Sequence, residues 1–407
     1  MKILFASYGA GHVKALIPVA EELKKRGHDV IFFAFTTAFH ELKKYDFKVY
    51  KVSDFIHLID KKTILKLGNK YFNGKKSKLV SYKETISYYG LGMFDLIKKF
   101  DTDKAERLYL NKERHAFNPI DSMGKVLDFL DPDILISTNS PRYERAIIKA
   151  ARIKKIYSIV INDLFAIDEF KWLSKNNFGN KICVVNNYVK DFLVEKGRKP
   201  DSIVVTGNPN FISRKKKTRL APTKKTLKEF YKIKKNQKVI LWASQTVPEI
   251  NKINGLKGDK SLPNNILKKL FEISAYRKDL FFITRMHPSE KKEFKINETD
   301  NFIVSKKDDV YDDILISNIA IVINSSIGYQ AFLEQKKIIQ VINSNLSNSS
   351  PYSKMGIASA LEDINFFEEK LDFVLSEDYI EKGHNYRNLN KSSTQVISNL
   401  IEESYSS

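Results

Sequence analysis

Cysteine is nearly absent from the sequence, since Cys183 is the only one among 407 residues. A single thiol cannot form a disulfide within one chain, and its apolar neighbours Ile182 and Val184 predict a buried strand position. These features exclude a small secreted domain that is stabilised by disulfides, and they indicate a reducing compartment.

Long apolar runs are also missing. No stretch reaches the roughly 18 consecutive apolar residues that a membrane-spanning helix needs. The apolar run at residues 2–6 is short and is soon interrupted by Gly9 and His12, unlike the core of a signal peptide. We therefore expect a cytoplasmic protein that is either soluble or peripheral to a membrane.

Acidic residues are too few to balance the basic ones. The sequence has 48 Asp and Glu against 69 Lys and Arg, a formal net charge of +21. Such an excess favours anionic partners: nucleic acid, acidic lipid or a phosphorylated small molecule. The lysines occur as scattered pairs and no recognised nucleic-acid module is visible, so we expect no nucleic-acid partner.

What the sequence does contain is a repeated alternation of short apolar runs with helical patterns. Its length fits two domains of about 200 residues each. Strand-like runs occur at residues 2–6, 30–34, 47–52, 134–138, 158–162, 182–185, 203–205, 239–243, 280–285, 302–304, 319–323 and 337–341. This alternation predicts an α/β fold with two Rossmann-like domains that face a central cleft.

The domain boundaries follow from changes in this alternation. We predict an N-terminal domain at residues 1–205, a C-terminal domain at 206–384 and a last helix of uncertain docking at 385–407. A basic, aromatic segment at 54–123 interrupts the first domain. It is either an insertion packed on that domain, the favoured interpretation, or a surface for a membrane or an acceptor.

The first strand ends in a loop that contains Gly9, Gly11 and His12 and then opens a helix. Glycines allow a tight turn and a close ligand, and a helix start favours anionic groups. The helix end should lower the pKa of His12, which suits a neutral general base. The alternative is a histidine that merely caps a turn. The third glycine of a dinucleotide fingerprint is missing, so a nicotinamide cofactor is not expected.

Two segments of the second half have the composition of a phosphate site. Arg285 and His287 alternate at a strand end that Pro288 closes, and together they would make a phosphate clamp. Ser325 and Ser326 separate a strand from a helix, where hydroxyl and N–H groups form an anion site. The structural alternatives are an ordinary surface loop and a serine helix cap.

A turn near the domain junction, Thr206-Gly207-Asn208-Pro209, follows the strand-like run at 203–205. Turn chemistry alone explains these residues. A nucleotide-sugar site would also have a glycine-containing turn at this place.

Taken in chain order, these motifs resemble the glycosyltransferases of the GT-B fold. The resemblance includes the G-x-G-H loop, residues 132–140 (PDILISTNS), residues 204–209 (VVTGNP), the R-x-H-P turn and the segment N-S-S-x-G-x-Q-A. The opening is similar to the enzyme that adds N-acetylglucosamine to the lipid-linked cell-wall precursor. The later motifs resemble bacterial capsule, sialic acid and Kdo transferases and polyglycerol-phosphate polymerases.

This resemblance implies an inverting, metal-independent glycosyltransferase of bacterial surface polysaccharide synthesis. It would use a UDP- or CMP-linked sugar and a glycan or lipid-linked acceptor, at the anionic inner face of the cell membrane. His12 would deprotonate the acceptor. In UDP-sugar transferases that use this histidine an aspartate orients it; Asn139 takes that place here, and Glu144 or Asp163 could substitute.

The resemblance also implies a set of donor-binding residues and no cofactor or metal. The set is Gly9, Gly11, Gly207, Asn208, Ser244, Arg285, His287, Pro288, Ser325, Ser326, Gln330 and Glu334. Gln330 stands where the family commonly has a glutamate that holds the ribose. Alternatives are a nucleotide-sugar 2-epimerase, a polyol-phosphate transferase and an inactive basic binding protein, which Asn139 and Gln330 would favour.

Overall fold

The computed structural model describes residues 1–74, 77–211, 222–251, 254–287, 290, 297–387 and 392–406. The chain divides into two compact units. The first comprises Met1–Asn210 and Leu389–Ser407, and the second comprises Phe211–Asn388. Most of the basic linker predicted at residues 211–226 lies outside the described residues.

The first unit is built on a parallel sheet of seven strands in the order β3–β2–β1–β4–β5–β6–β7. The strands are β1 (Lys2–Ser7), β2 (Asp29–Ala34), β3 (Lys48–Lys51), β4 (Ile134–Ser137), β5 (Tyr157–Ile161), β6 (Lys181–Val184) and β7 (Ile203–Val205). Ile3, Leu4 and Phe5 are completely buried. The central strands are apolar throughout because helices cover both faces of a parallel sheet.

Helices of the first unit connect these strands. They are α1 (Ala10–Lys25), α2 (Ala38–Leu42), α3 (Lys61–Tyr71), α4 (Tyr82–Phe100), α5 (Thr102–Lys112), α6 (Ile120–Leu130), α7 (Tyr143–Ile153), α8 (Phe170–Leu173) and α9 (Asn187–Glu195). Helix α1 packs with the periodicity read from the sequence, since Leu16, Val19 and Leu23 are fully buried.

The segment at 54–123 is helical and packs on the first unit. Helices α3 and α4 cross where each has a glycine against the other's backbone. A Cβ added at Gly68 would lie 2.0 Å from the Ile86 carbonyl oxygen, and one at Gly90 would lie 1.8 Å from that of Ile64. The segment also contacts helix α7, whose Tyr143 hydroxyl donates to the Tyr88 main-chain oxygen at 2.6 Å, which supports the interpretation of this segment as a packed insertion.

The second unit has a parallel sheet of six strands in the order β10–β9–β8–β11–β12–β13. Its elements are α10 (Lys224–Phe230), β8 (Lys238–Ala243), α11 (Leu262–Tyr276), β9 (Leu280–Arg285), β10 (Phe302–Val304), α12 (Val310–Ile316), β11 (Ile319–Val322), α13 (Ile327–Leu333), β12 (Lys337–Val341), β13 (Ser359–Leu361) and α14 (Phe367–Leu375). The predicted α/β class with two Rossmann-like domains is confirmed. The short strand β13 had no prediction.

The last helix, α15 (Ser393–Ser406), belongs to the first unit. Ile397 and Ile401 are completely buried in that unit's core. Glu402 of the same helix forms ion pairs with Arg26 and His28 at 2.7 and 2.8 Å. His28 therefore has a structural role, and the docking that the sequence left open is to helix α1 of the first unit.

Both sheets reverse their strand order at one point, β1/β4 in the first unit and β8/β11 in the second. At such a point the connecting chains leave in opposite directions, which opens a crevice at the carboxyl ends of the strands. The loops after these four strands are therefore where ligands are expected. Within the described residues no helix is both long enough and apolar enough to cross a bilayer.

Candidate active site

The loop after β1 presents an uncapped helix start. Gly9 is the extended N-cap of α1, and neither a capping side chain nor an acidic residue lies in the first turn. A Cβ at Gly11 would meet no described atom within 4 Å. Neither glycine has a positive φ, so the backbone conformation of this loop does not require glycine. Their small size instead leaves open space beside His12.

His12 forms an ion pair with Asp163, with 3.2 Å between Nδ1 and Oδ2. His12 is in the first turn of α1, and Asp163 follows β5 by two residues. Both therefore lie at the carboxyl edge of the same sheet. Asn139, Glu144 and Asp163 were all candidates to orient the imidazole, and among the described residues Asp163 is the one that pairs with it.

Carboxylates control the charge of His12. Burial lowers its pKa, but Asp163 foremost, and then Glu144 and Glu169, outweigh burial and raise the pKa to about 10. The expected lowering was wrong because the ion pair with Asp163, supported by Glu144 and Glu169, exceeds the effect of burial and of the partial charge of a helix end. In the free protein at neutral pH, His12 is an imidazolium.

Glu144 is a buried connector rather than the partner of His12. Its carboxylate is fully buried and accepts hydrogen bonds from the Tyr8 N–H at 2.5 Å, the Thr138 hydroxyl at 2.7 Å and the Ser140 N–H at 2.5 Å. These bonds join the loop after β1 to the loop after β4. Burial raises the pKa of Glu144, and its influence on His12 is electrostatic.

Asn139 does not take the position of an orienting carboxylate, contrary to the expectation. The residue is 1% exposed, and its main-chain oxygen accepts a hydrogen bond from Trp172 Nε1 at 3.1 Å. Its side-chain oxygen is buried without a partner among the described residues. The strand-end position was correct, but Asp163 after the next strand supplies the carboxylate.

Gly207 and Asn208 belong to the first unit, not to the second domain where the sequence placed them. Gly207 has a φ of +76°, a backbone conformation that favours glycine. Asn208 Nδ2 donates a hydrogen bond to the Asp163 main-chain oxygen at 2.6 Å. The turn after β7 thus helps to position the partner of His12.

In the second unit, the side chain of Arg285 at the end of β9 is fully engaged with neighbouring protein groups. Its guanidinium pairs with the fully buried Asp313 at 2.8 Å and donates to the Ser305 hydroxyl and to the carbonyls of Lys307 and Asp308. Four acceptors hold it in place. The phosphate clamp predicted for Arg285 is corrected, because this network gives the side chain a structural role.

Ser244, His287 and Glu290 meet at the carboxyl ends of β8 and β9. Glu290 accepts a hydrogen bond from the Ser244 hydroxyl at 2.7 Å and from the His287 N–H at 2.6 Å. His287 is exposed. Pro288 lies outside the described residues. The strand-end loops therefore carry an imidazole and a hydroxyl, together with a carboxylate that was not predicted.

The reversal point of the second sheet is fixed by polar side chains. Gln245 after β8 and Asn324 after β11 exchange two hydrogen bonds, at 2.6 and 3.2 Å. The Tyr352 hydroxyl donates to the main-chain oxygen of Ser325 at 2.8 Å. A Cβ at Gly328 would lie 2.9 Å from the Tyr352 ring, so glycine is required for this packing.

The remaining donor-site candidates surround the short helix α13. Ser326 is its N-cap, and the nearly buried Gln330 places Nε2 3.5 Å from the Ser326 hydroxyl. Glu334 follows as the C-cap. The anion site predicted at the start of α13 stays a prediction. The Ser325 hydroxyl accepts a hydrogen bond from the Ile327 N–H at 3.4 Å.

Sequence reasoning missed several residues that organise these loops. Asp313, Glu290, Gln245, Tyr352 and Tyr8 belong to this group. Asp313 lies in an acidic pair on α12, and only the fold brings it to Arg285. Tyr8 directly precedes the glycine loop, which is the one sequence signal that could have identified it.

No metal site was expected. Among the described residues, no group of three or more His, Cys, Asp or Glu side chains is arranged to hold a metal ion. The independence from metal stays a prediction.

No protein-family model matches the sequence, and no curated protein matches it at a significant level. Solved structures match over the whole chain. A UDP-GlcNAc 2-epimerase from Neisseria meningitidis bound to UDP-GlcNAc has 15% identity and a TM-score of 0.58, covering 99% of this chain and 100% of that one. The calicheamicin glycosyltransferase CalG4 has 12% identity and a TM-score of 0.62, covering 99% and 98%.

A glycosyltransferase of kitacinnamycin has 11% identity and a TM-score of 0.63, covering 99% of this chain and 98% of that one. The fold is GT-B. Glycosyltransferases and epimerases match about equally well, and at these identities the likeness shows the fold and leaves the reaction open.

Proposed function

We propose that this protein is an inverting, metal-independent glycosyltransferase that moves a sugar from a nucleotide-sugar to an acceptor hydroxyl. The observation that carries the proposal is the His12–Asp163 pair at the reversal point of the first sheet. A histidine held by a carboxylate is the arrangement that activates a hydroxyl nucleophile.

The two ring nitrogens of His12 have separate roles in this proposal. Nδ1 faces Asp163, so Nε2 takes the proton of the acceptor hydroxyl. The acceptor oxygen attacks the anomeric carbon while the bond from that carbon to the donor phosphate breaks, and its electron pair leaves with the nucleotide. A single displacement of this kind inverts the anomeric carbon.

The surrounding carboxylates favour the charged product of that proton transfer. Asp163, Glu144 and Glu169 all raise the pKa of His12, so the imidazolium that forms is stabilised. The same charges keep His12 protonated in the free protein. Activity therefore requires a proton to leave His12 before the acceptor can be deprotonated.

The second unit supplies the donor site in this proposal. Its candidates are Ser244, His287, Ser325, Ser326 and Gln330, on the loops of the second sheet's carboxyl edge. The Glu290 carboxylate would accept hydrogen bonds from ribose or sugar hydroxyls and would repel phosphate. Arg285 is left out because its guanidinium already has four acceptors.

Bacterial surface glycan synthesis, a lipid-linked acceptor and attachment to the inner membrane face remain parts of the proposal. The net charge of +21 supports an anionic environment. Helices α3, α4 and α5 of the segment at 54–123 carry nine lysines, which is compatible with contact at an anionic surface.

A nucleotide-sugar 2-epimerase is the second candidate. Three carboxyl groups, Asp163, Glu144 and Glu169, act on His12. This arrangement favours an epimerase, because the removal and return of a proton at carbon need an acid and a base together. Among the matched structures, the UDP-GlcNAc 2-epimerases of Neisseria meningitidis and Methanocaldococcus jannaschii were solved with UDP-GlcNAc bound.

Incubation of the protein with UDP-GlcNAc or another UDP- or CMP-sugar in D2O separates the two. Inversion at C2 breaks and remakes the C–H bond, so an epimerase introduces deuterium there without any acceptor. A transferase leaves C2 protonated and releases the nucleotide only when an acceptor is added. His12→Ala should abolish turnover and leave donor binding intact; unchanged turnover would contradict both functions as proposed.

A further inference from the structure

The proposed mechanism leaves a cluster of arginines and tyrosines unused at the reversal point of the first sheet. We call Tyr8, Tyr88, Arg114 and Arg142 the Arg–Tyr cluster. The Arg142 guanidinium carbon lies 3.9 Å from the centre of the Tyr8 ring. Arg114 Nη1 donates to the Tyr8 hydroxyl at 3.3 Å. Tyr8 thus holds two cations next to the loop that carries His12.

No acid forms an ion pair with this cluster in the described residues, and the exposed Glu113 acts on Arg114 only through space. In the described part of the chain, neither Arg114 nor Arg142 has a carboxylate within ion-pair distance, and Arg142 Nε is buried without an acceptor. The Tyr88 ring is 2% exposed and its hydroxyl likewise has no described partner. Burial raises the pKa of Tyr88 well above its ordinary value, so this hydroxyl is a donor.

One turn further along α7, Arg145 repeats the pattern. Its guanidinium carbon is 5.9 Å from the centre of the Trp172 ring, and its Nε is also buried without a described acceptor. Burial lowers the pKa of Arg145, because no acid compensates for the lost hydration. A desolvated cation without a partner is costly unless a ligand supplies the counter-charge.

Arg198 is an example of a buried arginine with a structural role whose donors are satisfied. Arg198 is 1% exposed, and it donates to the Ser202 hydroxyl and to the carbonyls of Lys175, Phe178 and Gly179. Its network has an acceptor for every nitrogen. The Arg–Tyr cluster has donors in excess instead, which is typical of an oxyanion site awaiting its ligand.

We propose that the Arg–Tyr cluster binds an oxyanion, a phosphate or carboxylate group, carried by the acceptor. The inference rests on the proposed function, in which His12 deprotonates an acceptor on the first unit. Tyr8 and His12 follow β1, and Arg142 follows the neighbouring strand β4. The anionic group would therefore be bound close to the base, whose own carboxylates repel it and direct it to the arginines.

Isothermal titration with glycerol 1-phosphate, glycerate and neutral glycerol tests this proposal. If glycerol 1-phosphate binds more tightly than glycerate, the group is a phosphate. If glycerate binds more tightly, the group is a carboxylate. Arg142→Gln should weaken the binding of the anionic probe by roughly tenfold or more, the loss of one charge-assisted hydrogen bond. Arg152→Gln, on the exposed last turn of α7, is the matched control and should bind as the unchanged protein does.

Equal affinity of both variants for the anionic probe, or glycerol binding as tightly as glycerol 1-phosphate, would overturn the proposal. Should Arg142→Gln not fold, the Nε–H resonance of Arg142 in protein labelled with ¹⁵N-arginine, assigned with Arg142→Lys, must shift on addition of the probe. These readouts do not require turnover. A protein that transfers sugar but does not bind the anionic probe refutes only this inference. A protein that binds the probe through Arg142 but shows no turnover refutes only the proposed function.

Discussion

At the scale of single residues, the His12–Asp163 pair has the clearest consequences. Asp163→Asn removes the main charge that raises the pKa of His12, so that pKa should fall toward the ordinary value of about 6.5. The measurement is an NMR titration of the His12 ring protons. Asp201→Asn, at an exposed site, should leave the titration of His12 unchanged. An unchanged titration in Asp163→Asn would show that the pair does not form in solution.

The pH dependence of activity follows from the same pair. As a base, His12 must be neutral, so kcat/KM should rise with pH up to about 10 and level off above it. Asp163→Asn should move the rise to lower pH and reduce the plateau. The free energy of unfolding should change with pH in the opposite direction. The raised pKa of His12 stabilises the fold fully below about pH 6.5, and this contribution is lost as the pH rises through about 10. A rate that falls over this range would make His12 an acid.

At the scale of elements, the crossing of α3 and α4 depends on its glycines. Gly90→Ala would place a Cβ 1.8 Å from the Ile64 carbonyl oxygen, and backbone cannot move aside cheaply. We expect a loss of about 1–3 kcal/mol in the free energy of unfolding, measured with urea. Gly124→Ala on α6 is the control, because its Cβ meets only the flexible end of Lys154 at 3.2 Å. Equal stability of both variants would contradict the close crossing.

At the scale of the whole molecule, the last helix completes a unit that begins 392 residues earlier in the sequence. Ile401 is fully buried in the core of the first unit, so Ile401→Ala should destabilise that unit by about 2–4 kcal/mol. Thermal unfolding followed by calorimetry checks this. Tyr405→Ala, at a side chain 53% exposed, should change little. If Ile401→Ala melts like the unchanged protein, α15 is not docked as described.

The predictable part of this fold was set by local patterns. Strands β1 and β8 could be predicted from their apolar runs, because both faces of a parallel sheet are covered and exclude water. Helix α1 could be predicted from the helical spacing of its apolar residues. The three-residue strand β13 carries no such pattern. Its place depends on pairing with β12, which is a long-range contact that a local pattern cannot encode.

The candidate site, like the fold, has one part that the sequence predicted and one part that it did not. The sequence by itself located His12, Asp163, His287 and the serines at strand ends, because loop chemistry is local and parallel strands share one carboxyl edge. Tertiary structure alone decided which groups meet: Asp163 with His12, Asp313 with Arg285 and Tyr8 with Arg142. It also reversed the sign of the His12 pKa shift. Coulomb energies depend on distances through space, and only the folded chain sets those distances.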